Sequence, residues 1–236
     1  MRSIVFIALF YSWTTLAGVF ALPLLLSPPR GLLAFSRFWA RVSLWLLRIT
    51  VGLTHEIRGH ENIPVGPVLF AVKHQSAWET LALQIYFPPQ VWILKRELLW
   101  IPIYGWGLAS MKPIAIDRSS GMRALKYIAT QGKQRLERGL WVVIFPEGTR
   151  TAPGKRLKYQ PGGGLLAEKS GYPVVPVTHN AGYFWPRNSL DKKPGTITMK
   201  IGPIIDPAGK SAKEITTEVE DWIENTSSTL PTPNFN

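Results

Sequence analysis

The chain has 236 residues, with 27 Lys and Arg against 15 Asp and Glu, and it contains no cysteine. This length suits one catalytic-sized α/β domain with a small appendage, and the lack of cysteine excludes a disulfide framework, thiol catalysis and thiolate metal sites. The formal net charge of +12 favours a polyanionic partner, which could be a nucleic acid, a phosphorylated substrate or an anionic membrane.

The first predicted element is an uncharged apolar segment from Ile4 to Leu26. As a helix it would extend about 35 Å, which is enough to cross a bilayer. The segment has no clear signal-peptide cleavage site and ends near a Pro-Pro pair. We therefore expect a retained membrane anchor rather than a leader that is removed.

A second apolar segment follows and carries Arg37, Arg41 and Arg48. On a helix these arginines fall within about 40° of one another, opposite an apolar face. We predict a helix at the headgroup boundary with its arginines turned to anionic lipid, so that residues 1–53 form a helical membrane-anchoring unit. The alternative is a helix that packs on the core of the soluble domain. The predicted apolar face consists of Phe35, Trp39, Val42, Leu46, Ile49 and Leu53.

Residues 54–226 alternate between short β-rich runs and helical stretches, which predicts an α/β domain. Apolar runs such as "WVVIF" indicate strands that are covered on both faces. The expected fold is therefore a mixed, largely buried central sheet flanked by helices. Residues 227–236 are polar and contain proline, so we expect a disordered tail. The predicted strands are "PVLFAVK", "VWILK", "KPIAI", "LWVVIF", "PVVPVT" and "TITMKI".

The segment "VKHQSAWETLAL", residues 72–83, places His74 and Glu79 where a predicted strand ends and a predicted helix begins. Ser76, with Glu79 three residues later, fits a capping box. His74 lies before the first helical turn, at the strand end where open α/β sheets bind ligands, and can reach Glu79 from there. A histidine backed by a carboxylate can act as a general base, because the carboxylate fixes its tautomer and stabilises the imidazolium.

A second candidate segment, "VVIFPEGTR", ends a predicted buried strand in a turn. Gly148 permits unusual backbone angles, and Arg150 offers a planar fork for a phosphate group. The alternative is that Arg150 only braces the turn by pairing with Glu147.

Other motifs in the chain predict no metal and no cofactor. His55 and His60 are one residue too far apart for a zinc-binding helix, and "QPGGGLLAEK" lacks the ending of a phosphate loop. There is no GxSxG elbow, which argues against a serine hydrolase. We interpret His179 as a structural histidine.

These segments resemble the membrane glycerolipid acyltransferases, typified by 1-acylglycerol-3-phosphate acyltransferase. The family's motif of a His and an Asp separated by four residues is matched by "HQSAWE", with Glu79 in the Asp position, and its Glu-Gly-Thr-Arg motif is unaltered at residues 147–150. Its second block is similar to "KRELLWIPIYGWGLASMKPIAIDR", which ends in Arg118, and its fourth to "YPVVPV". The four blocks come in the family's order and cover about residues 54–180. Lys73 stands where many relatives carry Asn.

The resemblance implies an enzyme that transfers an acyl chain from acyl-CoA or acyl carrier protein to the hydroxyl of 1-acylglycerol-3-phosphate, making phosphatidate in phospholipid synthesis. His74 and Glu79 would be catalytic, with His74 taking the hydroxyl proton. Backbone amides near Ser76 or near Gly148 would stabilise the oxyanion. The implied substrate-binding residues are Arg118, Glu147, Gly148, Thr149 and Arg150, with Lys95 and Lys158 as weaker candidates for phosphate contacts.

Three other functions stay open: acylation of a different lyso-lipid such as a lyso-ornithine lipid, membrane-bound hydrolysis, and a non-catalytic basic adaptor. The basic residues are not clustered into a run, so nucleic acid is not expected as a partner. The expected partners are the acyl donor, the lyso-lipid acceptor and an anionic membrane. More arginines follow the first apolar segment than precede it, which predicts an inner-membrane protein with its catalytic domain on the cytoplasmic side.

Overall fold

The computed structural model describes residues 1–26, 29–102 and 104–235, so part of the Pro-Pro pair lies outside the described residues. The helices are α1 (Arg2–Ala21), α2 (Pro29–Val51), α3 (Trp78–Tyr86), α4 (Tyr104–Ser110), α5 (Met122–Glu137), α6 (Gly162–Ser170), α7 (Ala181–Phe184) and α8 (Ala212–Thr229). The strands are β1 (Leu53–Arg58), β2 (Leu69–Val72), β3 (Gln90–Lys95), β4 (Ile114–Ile116), β5 (Trp141–Ile144), β6 (Val174–His179) and β7 (Gly195–Ile201).

The strands form one mixed sheet in the order β1-β7-β6-β2-β5-β3-β4. Only the β6–β7 pair is antiparallel among the strand pairs of the described chain. Every residue of the central strands β2, β5 and β6 is buried, as expected for apolar runs that are covered on both faces. The predicted mixed, largely buried sheet flanked by helices is confirmed.

Two apolar clusters cover the two faces of this sheet. Side chains of α2, α3 and α7 pack on one face, and side chains of α5, α6 and α8 pack on the other. Because β2, β5 and β6 are parallel neighbours, their carboxyl ends lie side by side at one edge of the sheet. The fold therefore brings together three chain segments that are far apart in sequence.

Helix α1 is joined to the rest of the molecule along its length. Near its start the Phe6 ring, which has no exposed surface, lies edge-on to Trp185 with centroids 5.3 Å apart. In its middle the Trp13 indole donates to the Trp39 carbonyl of α2 at 3.2 Å, and near its end Ala17 is buried. Of the helices that the structure describes, α1 is the one long and apolar enough to cross a bilayer.

The predicted orientation of α2 is wrong for one of its three arginines. Arg37 donates to the carbonyl oxygens of Gln84, at 3.1 Å, and Phe87, at 2.8 Å, so it satisfies the end of α3 instead of facing lipid. Arg41 and Arg48 are exposed. The helical period shows which residues share a face, but it does not show which face a neighbouring helix covers. The buried face of α2 comprises Ala40, Ser43, Leu44, Leu46, Leu47 and Val51.

The C-terminal segment is more structured than its composition predicts. Helix α8 starts with a capping box between Ser211 and Glu214 and continues to Thr229, three residues into the segment that we expected to be disordered. Beyond the helix, the Asn180 side chain donates to the Pro231 carbonyl at 2.8 Å. Asn180 is distant in the chain, so the local sequence around Pro231 carries no sign of this contact.

Candidate active site

The candidate site lies at the carboxyl edge of the sheet. His74 follows β2, the turn with Glu147 and Arg150 follows the adjacent strand β5, and Arg118 follows β4 two strands further along. Open α/β sheets bind their ligands at this edge, because loops from several strands meet there.

His74 and Glu79 form a hydrogen-bonded pair, with the His74 Nδ1 atom 2.8 Å from Glu79 Oε1. An ionised carboxylate can only accept, so Nδ1 carries the proton and Nε2 is left as the basic nitrogen. The His74 ring stacks on Phe145, with ring centroids 4.0 Å apart. Its side chain is 16% exposed whereas that of Glu79 is fully buried. The longer side chain of Glu, compared with Asp, therefore still reaches the imidazole.

The same oxygen of Glu79 also holds the start of α3. It accepts from the backbone amides of Gln75 at 3.0 Å and Ser76 at 2.8 Å. Burial acts to raise the pKa of Glu79, but nearby histidines and these donors lower it by more, so the carboxylate is ionised at neutral pH. The Ser76 hydroxyl accepts from the Trp78 amide at 3.2 Å. The predicted capping box would require it to accept from the Glu79 amide, one residue further along. Glu79 thus serves both the helix end and the histidine.

Glu147 contacts the backbone of His74 and the side chain of Lys73. Its Oε2 atom accepts from the His74 amide at 3.1 Å, and its Oε1 atom lies 3.3 Å from the Lys73 ammonium. Burial raises the pKa of Glu147 to about 7, against the opposing effect of Lys73. The ion pair that we considered between Glu147 and Arg150 is absent among the described residues, where Lys73 takes the place of Arg150.

Two arginines fix the turn that carries Gly148, Thr149 and Arg150. Gly148 has φ +70°, a left-handed conformation that favours glycine, and its carbonyl accepts a hydrogen bond from the Arg118 guanidinium. From the other side, Arg187 donates to the Thr149 hydroxyl at 3.1 Å and to the Arg150 carbonyl at 3.4 Å. Arg187 is not among the residues predicted from the sequence, where its only signal is a positive charge in a loop.

The Arg150 side chain is free to bind a ligand. Within the described ranges of the chain, its guanidinium group has no hydrogen-bond or ion-pair partner, and the residue lines a cavity. A buried arginine that braced the turn would have such a partner. This geometry argues against the bracing role that we considered for Arg150.

Three of the backbone amides near Ser76 and Gly148 already have protein acceptors. Those of Gln75 and Ser76 donate to Glu79, and that of Gly148 donates to the Phe145 carbonyl at 2.9 Å. The other amides of these two segments stay candidates for the oxyanion, as does Thr149, which lines the cavity.

A cavity of about 710 Å³ connects this site to the N-terminal helices. His74, Thr149 and Arg150 line one end of it, together with Arg118. Apolar side chains from the sheet and from α5 line its middle. The far end is lined by Thr14, Ala17, Gly18 and Ala21 of α1 and by Leu32, Phe35, Ser36 and Trp39 of α2.

Known proteins share this arrangement of sequence and fold. A sequence model of the family described as Acyltransferase matches residues 54–180. The 1-acyl-sn-glycerol-3-phosphate acyltransferase of Pseudomonas aeruginosa is 47% identical over 191 residues, which are 80% of this chain and 74% of that protein. The enzyme of the same name from Saccharomyces cerevisiae is 31% identical over 58% of this chain, and the match spans 46% of that protein.

A solved structure has the same fold over the whole chain. The crystal structure of the 1-acyl-sn-glycerophosphate (LPA) acyltransferase PlsC from Thermotoga maritima superimposes with a TM-score of 0.80. The match covers 100% of this chain and 97% of that one at 22% sequence identity. The match to the family over residues 54–180 and the close Pseudomonas relative lead to one conclusion: this chain is a member of the acyltransferase family.

Proposed function

We propose that this chain transfers an acyl group from a thioester donor to the hydroxyl of 1-acylglycerol-3-phosphate and so makes phosphatidate. The observation that carries the proposal is the placement of the His74–Glu79 pair, which is set between a rim of arginines and an apolar cavity. A lysophosphatidate has the matching parts, because it joins an anionic phosphate to a hydroxyl and an acyl chain. The names of the Pseudomonas and yeast relatives support this substrate.

In the proposed reaction, His74 Nε2 takes the proton of the acceptor hydroxyl as that oxygen attacks the thioester carbonyl. A C–O bond forms, and the carbonyl oxygen carries the negative charge of the tetrahedral intermediate. When this intermediate collapses, the C–S bond breaks and the leaving thiolate takes the proton from the His74 imidazolium. Glu79 stabilises that imidazolium and keeps the ring in place.

Arg118 and Arg150 are the proposed ligands of the acceptor phosphate. Both line the cavity near His74, and a planar guanidinium binds a phosphate through two parallel hydrogen bonds. Gly148 and Thr149 line the same part of the cavity, and Glu147 accepts from the His74 amide next to it. Lys95 also lines the cavity and has a half-exposed side chain, which suits a further phosphate contact.

The apolar part of the cavity is the proposed place of the acyl chain. A volume of about 710 Å³ is within the ordinary range for pockets that bury small ligands. Its far wall belongs to α1 and α2, so the N-terminal helices take part in the site as well as in membrane attachment. Acyl-CoA and acyl carrier protein both fit this geometry as donors.

We further propose that the N-terminal helices attach the protein to the cytoplasmic side of an anionic inner membrane. Contacts at both ends of α1 hold it against the domain, which favours a helix lying in the membrane surface over one that stands across it. Apolar side chains exposed on α1 and α2 suit the lipid boundary, and Arg41 and Arg48 lie exposed on α2. These apolar side chains are Ile4, Val5, Leu9, Leu16, Val19, Phe20, Phe38, Trp45 and Ile49.

The deciding experiment offers labelled acyl-CoA to the purified protein with a panel of acceptors: lysophosphatidate, the same lipid without its phosphate, a lyso-ornithine lipid, and none. We expect labelled phosphatidate, reduced at least about a hundredfold by His74→Ala and unchanged by His60→Ala, an exposed histidine elsewhere. Fatty acid released without an acceptor would identify a hydrolase. Product from the lyso-ornithine lipid alone would show that the proposed acceptor is wrong.

A further inference from the structure

Lys73 is a buried cation that the proposed reaction does not use. Its side chain is 2% exposed, and its ammonium group lies 2.7 Å from Glu224 Oε1 of α8 and 3.3 Å from Glu147 Oε1. The Tyr159 hydroxyl donates to the same oxygen of Glu224 at 2.9 Å. Lys73 therefore connects the C-terminal helix to the turn after β5.

The backbone of Lys73 is fixed as firmly as its side chain. Its amide donates to the Val177 carbonyl at 2.9 Å, and its carbonyl accepts from His179 Nε2 at 2.8 Å. The next residue is His74, whose amide donates to Glu147. The backbone bonds of Lys73 and its contact with Glu147 therefore bear on the position of the histidine that follows it.

A packing role alone does not explain this arrangement. Burying one cation between two carboxylates has a large desolvation cost, and apolar residues of similar volume can often replace buried ion pairs without loss of stability. When Glu147 is ionised, two carboxylates, those of Glu147 and Glu224, face a single lysine. Such an arrangement fits a function in which the charge balance at the site matters.

We propose that Lys73 is a positioning residue that, held between Glu147 and Glu224, couples helix α8 to the loop carrying His74. Lys73 draws the Glu147 carboxylate into place, and Glu147 in turn holds the His74 amide. Glu224, which is 151 residues from Lys73 in the chain, competes with Glu147 for the attraction of the Lys73 ammonium group. This role rests on the proposed function, since it acts on the proposed catalytic base.

The proposal predicts opposite effects from removing the charge of Lys73 and from removing the charge of Glu224. Removing the positive charge of Lys73 favours protonation of the groups around it, whereas removing the negative charge of Glu224 disfavours protonation. The titratable and charged groups that face this cluster are Glu147 after β5, Glu224 and Glu220 on α8, Arg156 and Tyr159 before α6, His179 on β6, and His74 with Glu79.

The test measures the pH dependence of kcat for acyl transfer to lysophosphatidate in Lys73→Met and Glu224→Gln. We expect the acid limb to move up by about one pH unit in the first and down by a smaller amount in the second. At pH 7, kcat of Lys73→Met should fall about tenfold with KM for both substrates nearly unchanged. The matched control is Glu218→Gln, which changes a surface residue of α8 that pairs with Lys210. This variant should leave the pH profile of kcat unchanged.

One further variant and one independent requirement keep the test decisive. Lys73→Arg retains the cation and should restore most of the wild-type profile. If Lys73→Met does not fold, the downward shift in Glu224→Gln is still required. Shifts in the same direction in both variants, or none in Glu224→Gln, would overturn the proposal. Wild-type protein that transfers no acyl group to lysophosphatidate would refute the proposed function instead.

Discussion

Replacing Glu79 by Gln separates its two roles, because the amide keeps the shape but loses the charge. In the wild type, one carboxylate oxygen holds His74 Nδ1 at 2.8 Å and two backbone amides at 2.8 and 3.0 Å. The amide oxygen of Gln can still accept from these donors. It cannot supply the negative charge that stabilises an imidazolium at His74.

The size of the loss follows from this geometry. With charge centres roughly 4 Å apart and an effective dielectric constant of about 20, the attraction between a carboxylate and an imidazolium is about 4 kcal/mol. The amide dipole recovers part of this, so we expect a loss of about 3 kcal/mol of transition-state stabilisation. This corresponds to a decrease in kcat of about a hundredfold.

The assay compares kcat for labelled phosphatidate formation in wild type, Glu79→Gln and Ser76→Ala, at matched folded fraction. Ser76→Ala removes only the hydroxyl that caps the Trp78 amide, so it controls for damage to the start of α3 and should cost less than about tenfold. A Glu79→Gln enzyme within about threefold of wild type would refute the reasoning, because Glu79 would then act only as an acceptor for the helix end.

Three further predictions follow from the site. Arg150→Lys loses the planar fork, so kcat/KM for lysophosphatidate should fall about tenfold, with a much smaller loss for the same lipid without its phosphate; equal losses would contradict a phosphate contact. Ala17→Phe should fill the far end of the cavity and lower kcat/KM for the longest acyl donors by about fourfold for each methylene that it displaces. Leu16→Phe, at the exposed neighbouring position, should leave this value unchanged. Burial raises the pKa of Glu147 from 4.5 to about 7, so between these pH values the folded state holds a proton that the unfolded state has released. The free energy of unfolding should therefore fall as the pH rises from about 5 to 7. A plot of Tm against pH should show this slope in the wild type and lose it in Glu147→Gln.

The sheet could be predicted because its strands are short apolar runs rich in β-branched residues. "WVVIF" and "PVVPVT" became the buried strands β5 and β6, since only a sheet covered on both faces buries every residue of such a run. The pair of His74 and Glu79 was also predictable, because both residues lie within one strand-to-helix connection and local geometry determines whether they meet.

Contacts between distant segments could not be predicted in this way. Lys73 and Glu224 are 151 residues apart, and nothing local distinguishes Glu224 from the other acidic residues of α8. Arg187 likewise meets the turn at Thr149 only because β5 and β6 flank the same central strand. For Arg37 the helical period shows which residues share its face, but the end of α3 that covers this face comes from another part of the chain.

The wall that α1 contributes to the cavity affects how fatty chains reach and leave the site. If α1 lies in the membrane surface, as proposed, an acyl chain can pass between bilayer and cavity across a boundary of protein and lipid without crossing water. Exposing a chain of about sixteen carbons to water would cost on the order of 12 kcal/mol, at about 0.8 kcal/mol per methylene. Thr14, Ala17 and Ala21 of α1 belong to that wall. The helix that attaches the protein to the membrane would therefore also spare each catalytic cycle the free-energy cost of exposing the chain to water.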